Sequence, residues 1–236
     1  MWSYFGAKTN VIDRYPPPKF DKIIEPFAGT ARYALKYFDR DITIIDNYKV
    51  LIDIWLWLKL CSKLDITSLP RLKRGENIDD FTFDCQEAKN LVGFLVNKGL
   101  NYPRKTASSW VTTYRPNWFT FNYKLISENL FKIKHWNIQL GSYANFTNPQ
   151  ATWFVDPPYQ HGGEIYVMNN KSINYLELAE WCKSRKGHII VCENSKADWM
   201  DFKEIISQKV RKGMQTEVIW SNYPTAFDHQ QIKLDL

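Results

Sequence analysis

The sequence is short of several things, and each shortage narrows its function. Its four cysteines, Cys61, Cys85, Cys182 and Cys192, form no CxxC pair, and His135, His161, His188 and His229 fall at no zinc-site spacing from them. That pattern favours a reduced, metal-free interior over a disulfide framework or a zinc module. No apolar run approaches the roughly 18 residues that a membrane-spanning helix needs. The most apolar stretch, "VLIDIWLWLKL" at residues 50–60, is broken by Asp53 and Lys59 and reads as a buried helix. The opening "MWSYFGAKTN" has no basic region followed by an apolar core, so a signal peptide is not expected. A cytoplasmic protein with no membrane partner is the expectation. A phosphate-binding GxGxxG is also missing, which disfavours a pyrophosphate-bearing dinucleotide.

Acidic residues are scarce in one region only. Between Ala88 and Val155 there are eight basic residues against the single acid Glu128, so the net charge of +6 is concentrated in that segment and the remainder is close to neutral. The hydrophobic and charged fractions, 44% and 24%, are ordinary for a globular chain, whereas 16% aromatics with ten tryptophans is high. That surplus suggests rings used for more than core filling.

The 236 residues suffice for one sizeable core, so a single α/β domain with one insertion is expected. "KIIEPFAGT" reads as a short buried strand entering a glycine turn, with a helix over about residues 31–38. "DITIIDN" is a second strand ended by Asp46, and the tryptophan-rich helix follows. Strands and helices alternating over short connections imply a mostly parallel, doubly wound sheet. "WNIQLGSY", "TWFVDPPY" and "HIIVCEN" supply further strands, with "NYLELAEWCKSRKG" a helix ended by Gly187. "TEVIWSNY" and the terminal "QQIKLDL" are expected to pair as an antiparallel edge. The alternation is lost over residues 62–136, where "DCQEAKNLVGFLVNKG" suggests a helix with Asp84 as N-cap and Gly99 beyond its end. This gives a main domain of residues 1–61 and 137–236 with an insertion at 62–136.

Two turns carry chemistry. In open parallel sheets ligands bind at the carboxyl ends of strands, and "EPFAGT" and "DPPY" both occupy such a position. Gly29 lets backbone approach a ligand, and Asp46, 17 residues on, is placed to accept hydrogen bonds from ribose hydroxyls. A nucleoside cofactor without a pyrophosphate fits these features. In "DPPY" the prolines stiffen the turn, holding Asp156 and the Pro157 carbonyl as two acceptors beside the flat ring of Tyr159. Two acceptors and a ring suit an exocyclic amino group on a planar base. The bland alternative is a proline turn in which Asp156 caps a helix.

Taken together, "YFGAK", "EPFAGT", "DPPY" and "EVIWSNY" resemble the Dam-like family of S-adenosylmethionine-dependent DNA adenine-N6 methyltransferases. The likeness covers most of residues 1–60 and 137–236, and the insertion matches loosely. It implies a Rossmann-like methyltransferase fold, with the insertion as target-recognition region. It implies further that Tyr4 and Lys8 sit by the cofactor, Lys8 near its carboxylate or the target. Glu25, Phe27 and Gly29 would line the methionine side and Asp46 the ribose, while Asp156, Pro157, Pro158 and Tyr159 would hold the target base. The chain departs from the family pattern at Ala31, commonly glycine, and in "GSY", where Ser142 and Tyr143 replace a stretch that commonly carries an acid.

The chain has no Pro-Cys pair, so the covalent route of C5-cytosine methylation is not expected. A base inside a duplex must be extruded at a cost of a few kcal/mol before its amino group can react, and Tyr159 would stack on it. Double-stranded DNA is the expected partner, with Lys98, Arg104, Lys105, Arg115 and Lys124 as candidate phosphate contacts. Trp110, Tyr114, Trp118 and Phe119 could wedge, stack or pack. His161, Gly162 and Gly163 are a candidate mobile lid, and His161 is given no chemical role. Glu193 and Asn194 end an apolar strand, where a helix-entry cap explains them as well as a cleft position does. N4-cytosine methylation, an RNA substrate and a catalytically silent nucleic-acid-binding protein on the same fold are the alternatives.

Overall fold

The computed structural model describes residues 1–210 and 213–225. Seven strands form one sheet: β1 (Lys22–Glu25), β2 (Asp41–Asp46), β3 (Asn137–Leu140), β4 (Ala151–Val155), β5 (Gly187–Asn194), β6 (Lys203–Val210) and β7 (Gly213–Ser221). Their order across the sheet is β3-β2-β1-β4-β5-β7-β6. The first five in that order are parallel and β7 runs antiparallel to both its neighbours, so the sheet is mixed and mostly parallel. Among the described residues six α-helices accompany it: α1 (Arg32–Lys36), α2 (Lys49–Leu60), α3 (Lys63–Thr67), α4 (Gln86–Leu95), α5 (Trp118–Asn129) and α6 (Tyr175–Lys183).

The central strands read as unbroken apolar runs because both faces of the sheet are covered. Side chains alternate across the pleat. Ile23, Phe154, Ile190 and Cys192 therefore enter the larger core with α1, α2, α4 and α5, whereas Ile24, Trp153, Val155, Ile189 and Val191 pack with Leu178, Ala179 and Cys182 of α6. Residues 62–136 do not build a separate core: Ile66, Leu72, Leu91, Phe94, Ile126 and Ile133 join the cluster that covers the sheet.

Several expectations change. "TEVIWSNY" pairs antiparallel with β5 on one side and with β6, "KEIISQKV", on the other, and the terminal "QQIKLDL" lies outside the described residues. The cap of α4 is Cys85, whose sulfur accepts from the Ala88 N–H, not Asp84. Much of the aromatic surplus is core after all. Trp2, Trp55, Trp136 and Trp153 are fully buried and Trp199 nearly so; Trp55 lies with its ring centroid 4.9 Å from Trp2 and 5.7 Å from Trp136. Among the described residues no helix is long and apolar enough to cross a membrane.

Gly187 is the first residue of β5 rather than the stop of α6, which ends at a Ser184 cap. Its φ is +107°, and a Cβ there would lie 2.1 Å from the Ala151 carbonyl oxygen. That contact is backbone on the adjacent strand and has no rotamer to yield. Gly187→Ala is expected to destabilise the fold by more than about 2 kcal/mol. Chemical denaturation checks this, and a change within about 0.5 kcal/mol would contradict it.

Candidate active site

The sheet order reverses direction between β1 and β4, and the loops leaving these two strands therefore open a crevice at their carboxyl ends. The first loop is "PFAGT". Asp46, at the end of β2, ties it down: its Oδ2 accepts from the Gly29 N–H at 2.8 Å and its Oδ1 from the Tyr48 N–H at 2.8 Å. The indole of Trp55 donates to the Gly29 carbonyl at 2.9 Å. Burial raises the Asp46 pKa, and the N–H groups of Tyr48, Gly29 and Asn47 oppose that shift. Ala31 closes the loop in the left-handed region, at φ +47° and ψ +52°, where a glycine would carry no strain.

The second loop leaves β4 at Asp156. Asp156 caps no helix, because "DPPY" continues into a loop and α6 begins only at Tyr175. Its Oδ1 instead lies 2.7 Å from the Lys8 ammonium. The same ammonium is 3.8 Å from Glu217 of β7 and 4.5 Å from the centroid of the Tyr159 ring. Glu217 Oε1 also accepts from the hydroxyls of Tyr15, at 2.6 Å, and Tyr159. One cation thus serves two carboxylates, a net charge of −1. Desolvation pushes the Asp156 carboxyl up to about 6, with Lys8 pulling against it and Glu217 reinforcing it. Burial alone would lower the Lys8 pKa, but Asp156 and Glu217 outweigh it and hold the ammonium charged.

Two clefts meet at this cluster. One encloses about 660 Å³ of space continuous with solvent, and its lining includes Tyr4, Lys8, Glu25, Phe27, Gly29, Asp46, Asp156 and Pro158. Eight of the ten residues expected in the cofactor and target sites thus share one crevice. The other encloses about 1480 Å³ and is lined by Tyr159, Glu217, Thr216, Asn10, Asn194 and His161, with Lys8 and Tyr166 common to both clefts. Pro157 is buried beneath the turn and borders neither. Within the first cleft Glu25 accepts from the Ala34 N–H, and burial pushes its carboxyl up to about 8 against that hydrogen bond. The ring of Tyr143 of "GSY" packs tilted against Phe27, with centroids 5.0 Å apart, so that stretch supports the cleft wall with a ring.

Some participants give little sign in the sequence. Glu193 is buried within β5, with its Oε1 accepting from the Gln160 N–H at 2.6 Å and from the Trp199 indole at 3.1 Å. It anchors the residue that follows Tyr159, and it is not a helix cap. Asn194 donates to the His161 carbonyl at 2.7 Å, so the "HGG" segment is hydrogen-bonded to β5. Tyr166 reaches back over Gly6: a Cβ at Gly6, which has φ +75°, would sit 1.8 Å from the Tyr166 hydroxyl oxygen. The glycine of "YFGAK" therefore makes room for a ring that separates the two clefts.

The candidate DNA contacts divide by environment. Lys98, Arg104, Lys105, Arg115 and Lys124 are all exposed. Lys105 is paired with Asp79 at 2.7 Å, and Lys124, on the helix α5, lies 3.8 Å from Glu128. Lys98 and Arg104 belong to a loop tied to the cleft rim, where the Phe5 N–H donates to the Leu100 carbonyl at 3.0 Å and Asn101 donates to the Ile165 carbonyl. Lys98 lies 5.2 Å from the centroid of Trp110, which stacks on the exposed ring of Tyr114. Phe119 is buried and Trp118 donates to the Leu95 carbonyl, so these two pack. Among the described residues no group of His, Cys, Asp and Glu is arranged to hold a metal ion. No family model matches the chain, and no curated protein shows a significant match.

Removing Lys8 would leave Asp156 and Glu217 facing each other without a counter-ion. The Asp156 carboxyl, already raised by burial, would lose the ammonium that pulls it down and bind its proton still more tightly in the fold than in the unfolded chain, so the penalty appears as pH rises through its folded pKa. Lys8→Met is expected to cost about 3 kcal/mol at pH 8 and markedly less at pH 5. Denaturation at the two pH values measures the difference, and a pH-independent loss would contradict the ion-pair account.

Proposed function

We propose that the protein is an S-adenosylmethionine-dependent DNA methyltransferase acting on N6 of an adenine extruded from double-stranded DNA. The observation that carries this reading is Asp156 in the wall of a cleft bearing the features expected of a nucleoside-cofactor site, ion-paired to Lys8, which also lines the second, larger cleft beside Tyr159. A strand order that reverses between β1 and β4, with an antiparallel β7 beside the edge strand β6, is compatible with a Rossmann-like methyltransferase fold.

The residues of the first cleft fit the cofactor. Asp46 is held by two loop N–H groups with carboxylate lone pairs remaining for ribose hydroxyls. Phe27 and Tyr4 offer apolar walls, and buried polar atoms of Thr30 and Arg32 lack protein partners there. When bound, the cofactor supplies a methyl group made electrophilic by its sulfonium, which passes to the amino nitrogen as the sulfur becomes a thioether. The protein's part is alignment, exclusion of water and polarisation of the amino group. Asp156 accepts an N–H of the base while Lys8 fixes its Oδ1. Its carboxylate is also positioned to take the proton that the nitrogen sheds. Tyr159, held by its hydroxyl on Glu217, offers its ring to the extruded base from the wall of the second cleft. Gln160 and Glu193 keep the loop in place behind it.

Nucleosides from treated duplex DNA test the reading by mass spectrometry: N6-methyladenine is expected with the wild type and a loss of more than about 1000-fold in rate with Asp156→Ala. N4-methylcytosine alone would refute the choice of base, and no methylated nucleoside would leave the silent binding protein as the better description. Because Asp156 must be ionised to accept the amino hydrogen and its carboxyl lies at about 6, the rate should climb roughly tenfold between pH 5 and pH 8. A rate that falls over that interval would contradict this assignment.

The rim cations extend the reading to DNA. Lys98→Gln and Arg104→Gln should each make the slope of log affinity against log salt shallower by about 1. Slopes equal to wild type in both variants would remove the rim loop from the interface.

A further inference from the structure

The cofactor proposed above carries an amino-acid carboxylate, and the charges in the first cleft restrict where that group can sit. Five ionisable side chains line the cleft besides its tyrosines: Lys8, Glu25, Arg32, Asp46 and Asp156. Lys8, expected from the resemblance to lie near this carboxylate or the target, is 2.7 Å from Asp156 and 3.8 Å from Glu217. A third carboxylate beside a cation already shared by two would meet repulsion on balance. Arg32 is the other cation, and its situation is the reverse. Its Nη2 donates to the Trp2 carbonyl at 2.6 Å, its Nε is buried with no hydrogen-bond partner, and it makes no ion pair with a carboxylate among the described residues. The Thr30 hydroxyl, on a residue 2% exposed, is likewise buried and unpartnered, and both residues line the same cleft. A guanidinium stays charged at any physiological pH, and a buried N–H left without an acceptor is costly. An acceptor that reached these atoms from the cleft would relieve that cost.

We infer that Arg32 and Thr30 form the carboxylate-binding subsite for the amino-acid end of the methyl donor, leaving Lys8 to serve Asp156. This assignment rests on the methyl-donor reading above. It gives the departure at Ala31 a consequence, because the left-handed turn at φ +47° lies between the two donor residues. It also divides the labour of the two cations: Arg32 selects the cofactor and Lys8 sets the acceptor.

Isothermal titration calorimetry with S-adenosylmethionine and with its decarboxylated analogue, S-adenosylmethioninamine, separates the possibilities. The wild type should bind the carboxylate-bearing compound roughly 30-fold more tightly, the scale of one charge-assisted hydrogen bond. Arg32→Gln should lose most of that preference while binding the decarboxylated compound within about threefold of wild type. Thr30→Val, which keeps the charge, should lose about fivefold for the carboxylate-bearing compound alone. Thermal unfolding establishes that each variant is folded before titration. Wild-type protein that binds neither compound would contradict the methyl-donor reading itself. Wild-type binding without preference, or a preference kept in Arg32→Gln, would overturn the Arg32 assignment and leave that reading standing.

Discussion

One ammonium between two carboxylates sets the terms for everything around it. Lys8 is 9% exposed, Asp156 20% and Glu217 6%, so none of the three is fully solvated and both carboxylates depend on the single ammonium between them. They come from an N-terminal loop, the end of β4 and the antiparallel strand β7, and the cluster therefore exists only when the sheet is assembled. The tyrosine hydroxyls of Tyr15 and Tyr159 complete the shell of Glu217. What remains is Asp156, the most exposed of the three, at a junction with excess negative charge. Such a site favours a ligand that brings hydrogens over one that brings lone pairs, which is the property an amino group on a planar base possesses.

The sheet makes this arrangement stiff. β4 is buried along its length and hydrogen-bonded on both sides, by β1 and β5. The turn that follows has two prolines, and the Tyr175 hydroxyl donates to the Pro158 carbonyl at 2.6 Å. From the neighbouring strand, Glu193 holds the Gln160 N–H. A residue bracketed in this way holds Tyr159 without relying on a long loop's own conformation. Preorganisation of that kind is what an alignment-dependent reaction requires of a protein.

The strands were legible because a parallel sheet covered on both faces leaves short, continuous apolar runs bounded by turn residues, as in "KIIE", "ITIID" and "TWFVD". The two loops were legible because their residues have local reasons to be there: Asp46 at a strand end, Gly29 in a turn, prolines after Asp156. Glu217 was not, since an acid on a strand looks solvated until the fold sets it beside a buried lysine more than 200 residues away. Arg32 stands in no motif, and only the cleft shows that its guanidinium lacks an anion among the described residues. Tyr166 follows no motif, and its close approach to Gly6 emerges only from the fold. The β6 strand escaped because "KEIISQKV" mixes charge with few apolar residues, as an edge strand tends to. The aromatic surplus misled for a physical reason. Four tryptophans fill space between the sheet and its helices, a use that composition alone does not separate from stacking on bases.

The proposed function stands on Asp156, in the wall of the proposed cofactor cleft, meeting an amino group that enters from the neighbouring cleft lined by Tyr159. A crystal structure with sinefungin, which carries an amine where the methyl donor has its sulfonium, and an adenine-containing duplex tests that meeting most directly. The expected result is the analogue in the cleft bounded by Asp46 and Arg32, and an extruded adenine in the cleft bounded by Tyr159, its N6 within about 3 Å of an Asp156 oxygen. An analogue bound away from Asp46, or a base whose amino group lies out of reach of Asp156, would contradict it.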